Sequence, residues 1–177
     1  MPNQPLDDRG VFLLSQIGHH VSLRFTARLA SLGLEPAHFG ILTHLASADG
    51  RSQQELADAM NVHRNAMVGL IDELEDLRLV RRYPHPDDRR AHAVHLTDLA
   101  HDLLPAATAE ADAVEEEILA PLDADERAQL IRLLRRASAH AGLPPGVHPG
   151  LQRRRRAPRT TSNPGERVVL DRPRAQS

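Results

Sequence analysis

Residues 78–97, RLVRRYPHPDDRRAHAVHLT, constrain the fold more than any other part of the chain. On either side, apolar residues recur at helical spacing. Inside this run, Val94 and Leu96 alternate with polar neighbours, which is the period of a strand. The segment VRRY mirrors them before a charged turn that carries Pro84 and Pro86. The pattern predicts a two-stranded hairpin set into a chain of helices.

The helical segments follow from the same reading. Leu14, Ile17, Val21, Phe25 and Leu29 mark a first helix over 11–32. Gly33 breaks it, and Pro36 opens a second helix over about 36–48, with Phe39, Leu42 and Leu45 on one side. Ser52 and Glu55 have the spacing of a capping box, which starts a short third helix over 53–60. A tight connection at 61–62 leads to a fourth helix over 63–77, whose stripe is Met67, Leu70, Ile71, Leu74 and Leu77. After the hairpin, a long helix is expected from Thr97 to about 119. Pro105 should kink it or shift its start. Asp123 and Glu126 form a second capping-box pair and open a last helix to about 141.

The chain has no cysteine, which excludes disulfides, thiolate nucleophiles and cysteine zinc sites. No apolar run approaches the roughly 20 residues needed to span a bilayer. The first residues, MPNQPLDDRG, do not lead from a basic into an apolar stretch, so no signal peptide is expected and a cytoplasmic location is. The formal charge of −2 hides an asymmetry: residues 1–141 hold 14 Arg and 22 acids, residues 142–177 hold 8 Arg and 2 acids. From GLPPGVHPG onward the chain is rich in Pro, Gly and Arg, and residues 142–177 read as a disordered tail. Its segment QRRRRAPR could add nonspecific phosphate contacts or serve only as a solvated charge run.

Two short helices joined by a tight turn and followed by a hairpin make a winged helix-turn-helix. The stripe on the fourth helix leaves Arg64, Asn65, Val68, Gly69 and Asp72 outside. The first residues of such a helix meet base edges in the major groove. There Arg pairs with guanine, Asn with adenine, and Val68 could meet a thymine methyl group. The acids Asp72, Glu73, Glu75 and Asp76 fall in the later half, which phosphates repel, so the geometry favours entry by the N-terminal end. Residues 78–90 hold five Arg against two Asp, a local excess of positive charge in an otherwise acidic region. Gln53 and Gln54, in the first turn of the third helix, are candidates for phosphate contacts.

The run LEDLRLVRRYPHPDDRRAHAVHLTDLA resembles the hallmark of the multiple antibiotic resistance regulator (MarR) family. There a recognition helix ends in an LE..GLV-like stretch, a wing carries a D-x-R turn, and V-x-L-T enters the next helix. Counted back from Thr97, the D-x-R falls on Asp88, Arg89 and Arg90. The resemblance covers residues 10–141. It implies dimerisation helices at 10–33 and 98–141, a winged-helix DNA-binding lobe at 36–97, and a tail at 142–177 outside it. The implied fold is mainly α, a winged helix-turn-helix with a hairpin wing and terminal helices that form a dimerisation region. The family often has Gly where this chain has Arg78 and Ala100, and Ser or Thr near the start of the recognition helix, where this chain has RNAMVG.

The resemblance further implies a homodimer that reads a pseudo-palindromic operator, most often as a repressor, and a small aromatic or phenolic effector that releases it. Arg90 would enter the minor groove, with Arg89 beside it and Asp88 bracing it by a charge-assisted hydrogen bond. His20, His44 and His101 are candidates near the effector cleft; no cofactor is expected. Two other classes are set against this reading. A metal-responsive regulator of the same fold would use some of the 11 histidines, but His101 is followed four residues later by Pro105, not by a second histidine. A protein-binding winged helix would not need an arginine-rich wing. No G-x-S-x-G, P-loop or H-E-x-x-H sequence occurs, so no enzyme is expected and no catalytic or metal-ligating residue is assigned.

Overall fold

The computed structural model describes residues 5–85 and 91–148. Six helices follow in the order that the periodicity predicts: α1 Gly10–Ala30, α2 Pro36–Ser47, α3 Gln53–Ala59, α4 Arg64–Asp76, α5 Asp98–Leu119 and α6 Ala124–His140. A 3-10 turn, Leu6–Asp8, precedes α1. Three strands, β1 Arg51–Ser52, β2 Val80–Pro84 and β3 His92–Leu96, form an antiparallel sheet in the order β1-β3-β2.

The expected hairpin therefore has a third strand. Arg51 pairs with Val94 and Ser52 with Ala93, on the far side of β3 from β2. Two residues inside a turn carry no readable alternation, so β1 leaves no mark in the sequence. It locks the entrance of α3 to the wing.

Side chains start the helices where the sequence predicts. The Ser52 amide donates to Glu55 Oε2 at 2.7 Å, and the Glu55 amide to Ser52 Oγ at 3.2 Å. Asp123 and Glu126 exchange the same pair of bonds at 2.9 and 3.0 Å. The Thr97 hydroxyl accepts from the Ala100 amide, which fixes the start of α5. Pro105 neither delays nor ends that helix, which runs unbroken through it.

Four of the helix ends share one device. A residue just past the helix adopts a left-handed conformation, and the next amide reaches back five residues to a carbonyl. At α1, Leu34 bonds back to Leu29 past Gly33; at α3, Val62 to Ala57 past Asn61; at α4, Leu79 to Leu74 past Arg78; at α6, Leu143 to Ser138 past Gly142. The turn between α3 and α4 thus needs no glycine, because Asn tolerates this region better than most residues.

The core lies among α2, α3, α4, the sheet and the start of α5. Ile41, Leu45, Leu56, Met67, Ile71 and Leu74 are fully enclosed. The outer helices differ. In α1 only Leu29 is buried, while Leu14 and Ile17 are 48% and 53% exposed. No residue of α6 is buried, and Leu133 and Leu134 face solvent. Arg28 bridges Glu110 and Glu117 at 3.0 and 3.1 Å, and Arg24 also pairs with Glu117, so α1 is clamped to α5 by charge.

Candidate nucleic-acid interface

The helix α4 is held so that its first turn stays open. His63 caps it, its Nδ1 accepting from the Asn65 amide at 3.2 Å. Arg64 and Asn65 are exposed, and Val68 and Gly69 are half-buried, one turn further on. Met67, Leu70, Ile71 and Leu74 fix the opposite face in the core. The three positions chosen for base contact, Arg64, Asn65 and Val68, thus lie together on the outer side of one helix, with Gly69 beside them.

Asp72 and Glu75, in the later turns, are paired. Arg82 of β2 donates to Asp72 Oδ1 at 2.7 Å, and its guanidinium also pairs with the Glu75 carboxylate. Its backbone amide donates to Glu75 Oε1 at 3.0 Å. With the Gln53 amide turned oxygen-inward, that oxygen lies 2.7 Å from Arg82 Nη2 and 3.0 Å from Nε. One guanidinium therefore joins the start of α3, the recognition helix and the wing. Gln53, predicted to touch phosphate, is brought to this cluster. Gln54 is exposed and bonded to Asp58 at 2.8 Å. Arg82 is the residue that the sequence reading missed as a structural centre. The signal was present: Val80 and Arg82 are two apart on one strand, so both face inward.

The wing has a second brace. His95 Nδ1 lies 2.7 Å from Asp49 Oδ2, and the Leu96 amide donates to Asp49 Oδ1 at 3.0 Å. Burial raises the Asp49 pKa, but the Leu96 amide, His95 and the Gly50 amide outweigh it and hold the carboxyl below its ordinary value. Tyr83 meets His95 edge-on at 5.5 Å. Residues 86–90, and with them Asp88, Arg89 and Arg90, lie outside the described residues.

A cavity of about 830 Å³ lies between α1 and α2. Val21, Phe25, Phe39 and Met60 give it an apolar wall, and Glu35 and His44 stand at opposite ends of α2 along it. Gly146, Val147 and His148 complete the lining. Burial foremost, and then the charge of Arg51, lower the pKa of His44. His44 is thus in the cavity wall, whereas His20 and His101 are exposed and outside its lining. Among the described residues, no group of three or more His, Asp or Glu side chains could hold a metal ion.

Behind this wall sits His38, 5% exposed. The Glu35 amide donates to its Nδ1 at 3.2 Å, so Nε2 bears the hydrogen and donates to Glu73 at 2.9 Å. This bond ties α2, the cavity helix, to α4.

Comparison with known proteins agrees with this architecture. The MarR family model matches residues 32–91, the span from the end of α1 into the wing. A protein of Thauera aromatica described as a transcriptional regulatory protein for the hcr operon is 34% identical over 104 residues, 59% of this chain and 63% of that relative's length. The structure of CouR from Rhodococcus jostii RHA1 bound to p-coumaroyl-CoA superposes with a TM-score of 0.67 at 28% identity, covering 80% of this chain and 97% of that one. The repressor CouR bound to a 23-mer DNA duplex superposes with a TM-score of 0.68 at 29% identity, covering 75% and 94%. The family match lies on the lobe that carries α3, α4 and the wing, and the fold extends the likeness through the outer helices: the chain is similar to the MarR family over residues 32–91 and shares the winged helix-turn-helix fold of these proteins.

Proposed function

We propose that the protein regulates transcription by binding a pseudo-palindromic operator as a homodimer, acting as a repressor that a small ligand releases. The observation that carries this reading is the outward face of α4. Arg64 and Asn65 are exposed in its first turn, and Arg82 neutralises acids of its later turns. A helix so arranged presents a positive, hydrogen-bonding end to the major groove. Arg90, with Arg89 and Asp88, is assigned to the adjacent minor groove, and Gln54 to a phosphate. Gln53 acts through Arg82.

The cavity is the proposed effector site. It adjoins α2, whose His38 holds Glu73 of the recognition helix, so a ligand that shifts α2 shifts α4. Its apolar wall suits an aromatic or phenolic body, and a relative of the same fold is known with p-coumaroyl-CoA. The decisive experiment is selection of bound fragments from genomic DNA. A recurring inverted repeat is expected; a selection that enriches no repeat would reject the reading.

A further inference from the structure

The first turn of α4 depends on a bond that an oxygen makes elsewhere in this chain. The turn before it is fixed by backbone: Asn61 takes a φ of +50°, and the amide of Val62, itself buried, bonds back to Ala57. The Ala66 and Met67 amides reach the His63 carbonyl. The amides of Arg64 and Asn65 belong to those that a helix start leaves without an intrahelical partner. His63 Nδ1 accepts the Asn65 amide at 3.2 Å.

Ser52, Thr97 and Asp123 cap α3, α5 and α6 through side-chain oxygens. Ser, Thr, Asp and Asn are the preferred caps, and histidine is not among them. A ring nitrogen differs from those oxygens in one respect: it accepts only while it carries no proton. The capping ring of His63 therefore holds its hydrogen on Nε2, and a second proton would sit on Nδ1, facing the amide donor. That proton would also put positive charge at the positive end of the helix dipole. Histidine is the side chain whose charge changes in the physiological pH range.

We propose that His63 is a positioning residue for base recognition: it holds Arg64 and Asn65 in reading geometry while its ring is neutral, and discrimination between operator and unrelated DNA weakens in acid. This rests on the reading of α4 as the recognition helix and adds a pH-sensitive control of it. The sign follows from two effects. Loss of the cap frees the backbone under Asn65, whose paired contacts with a base need a fixed geometry. The added charge attracts any phosphate backbone, whatever its sequence. Specific binding loses and nonspecific binding gains as pH falls. The charged groups around the cap are few. On α3, which leads into this turn, Glu55 is bonded to Ser52 and Asp58 to Gln54; on α4, Arg64 comes next. Asp72 and Glu75, paired with Arg82, and Glu73, bonded to His38, lie more than two turns further along α4.

The test is a competition gel shift between the inverted repeat enriched by genomic selection and a scrambled duplex, at fixed salt, from about pH 8 to about pH 5.5. For the wild type, the ratio of the two affinities should fall about three- to tenfold over that range, the scale of one lost cap. His63→Asn keeps a cap that does not titrate and should hold the ratio flat. His63→Ala should give the low ratio already at the alkaline end, with circular dichroism confirming the helix content. A wild-type ratio that does not change with pH, or a fall that His63→Asn shares, overturns the role of His63 while the recognition helix stands. So does a His63→Ala variant with the wild-type ratio at the alkaline end. If the wild type separates the two duplexes at no pH, the recognition-helix reading itself fails and takes this inference with it.

Discussion

Arg82 shows how one side chain can set the geometry of a reading head. It faces inward beside Val80, yet a guanidinium cannot be left inside without partners. Asp72, Glu75, Gln53 and the Val68 carbonyl, at 3.4 Å, supply them. Arg82→Ala should cost about 1.5–3 kcal/mol of stability, the range for hydrogen bonds to charged groups, read as a lower urea midpoint. Arg82→Lys should recover only part of it, because an ammonium lacks the planar fork. Arg78 gives the opposite sign. Its φ is +59°, at the position after the α4 cap where glycine is strain-free. Arg78→Gly should raise stability by roughly 0.5–1 kcal/mol, the left-handed strain less the entropy gained by the unfolded chain, checked by thermal melting. Asp49 sets a pH limit. Its folded pKa is depressed below 3.8, so its contribution is complete above that value and is lost as pH falls through the folded pKa. Asp49→Asn should flatten the acid limb of the stability profile below pH 4, measured by urea titrations at a series of pH values.

At the scale of elements, the sequence was most legible where one local rule decides the outcome. Ser52–Glu55 and Asp123–Glu126 announce helix starts because a capping box is written in four residues. The stripe of α4 was legible because Met67, Leu70, Ile71 and Leu74 meet the same core; Leu77, expected as its fifth member, lies just past the helix and is 40% exposed. The rule failed where tertiary pairing decides. Strand β1 exists only because Arg51 and Ser52 meet β3, more than 40 residues away. Pro105 reads as a breaker, yet α5 continues through it, held along α1 by Arg24 and Arg28. The candidate site divides in the same way. Exposure of Arg64 and Asn65 follows from helical period alone. Engagement of Gln53 by Arg82 needs the strand's inward face and the sheet's position, which composition counts of the wing do not contain. The recognition helix should therefore respond unevenly to change. Asn65→Ala should cost about 1–3 kcal/mol on the preferred site and little on unrelated DNA, because it removes a base contact. Competition gel shifts with matched and scrambled duplexes measure that difference.

At the scale of the whole molecule, two outer helices carry apolar side chains that the single chain leaves uncovered among the described residues. The first half of α1 presents Leu13, Leu14 and Ile17 to solvent, and α6 presents Ile131, Leu133 and Leu134. The first half of α1 buries no residue, and α6 buries none at all. Exposed apolar side chains grouped on two helices are expensive in water and ordinary at an interface. In the proposed homodimer a second copy would cover such faces with matching helices, and a two-fold pair would place two α4 helices for two half-sites. Gaining the second half-site in the same complex multiplies affinity by an effective concentration, typically about 10²- to 10⁴-fold. The combined change Ile17→Glu and Leu134→Glu puts charge in that interface without touching the core or α4. Sedimentation should then give the mass of one 19.6 kDa chain in place of two. Binding to a full inverted repeat should fall toward that of a half-site. A variant that sediments as a dimer would place the interface elsewhere; a monomer that still binds the full repeat with wild-type affinity would show that the two lobes do not need each other.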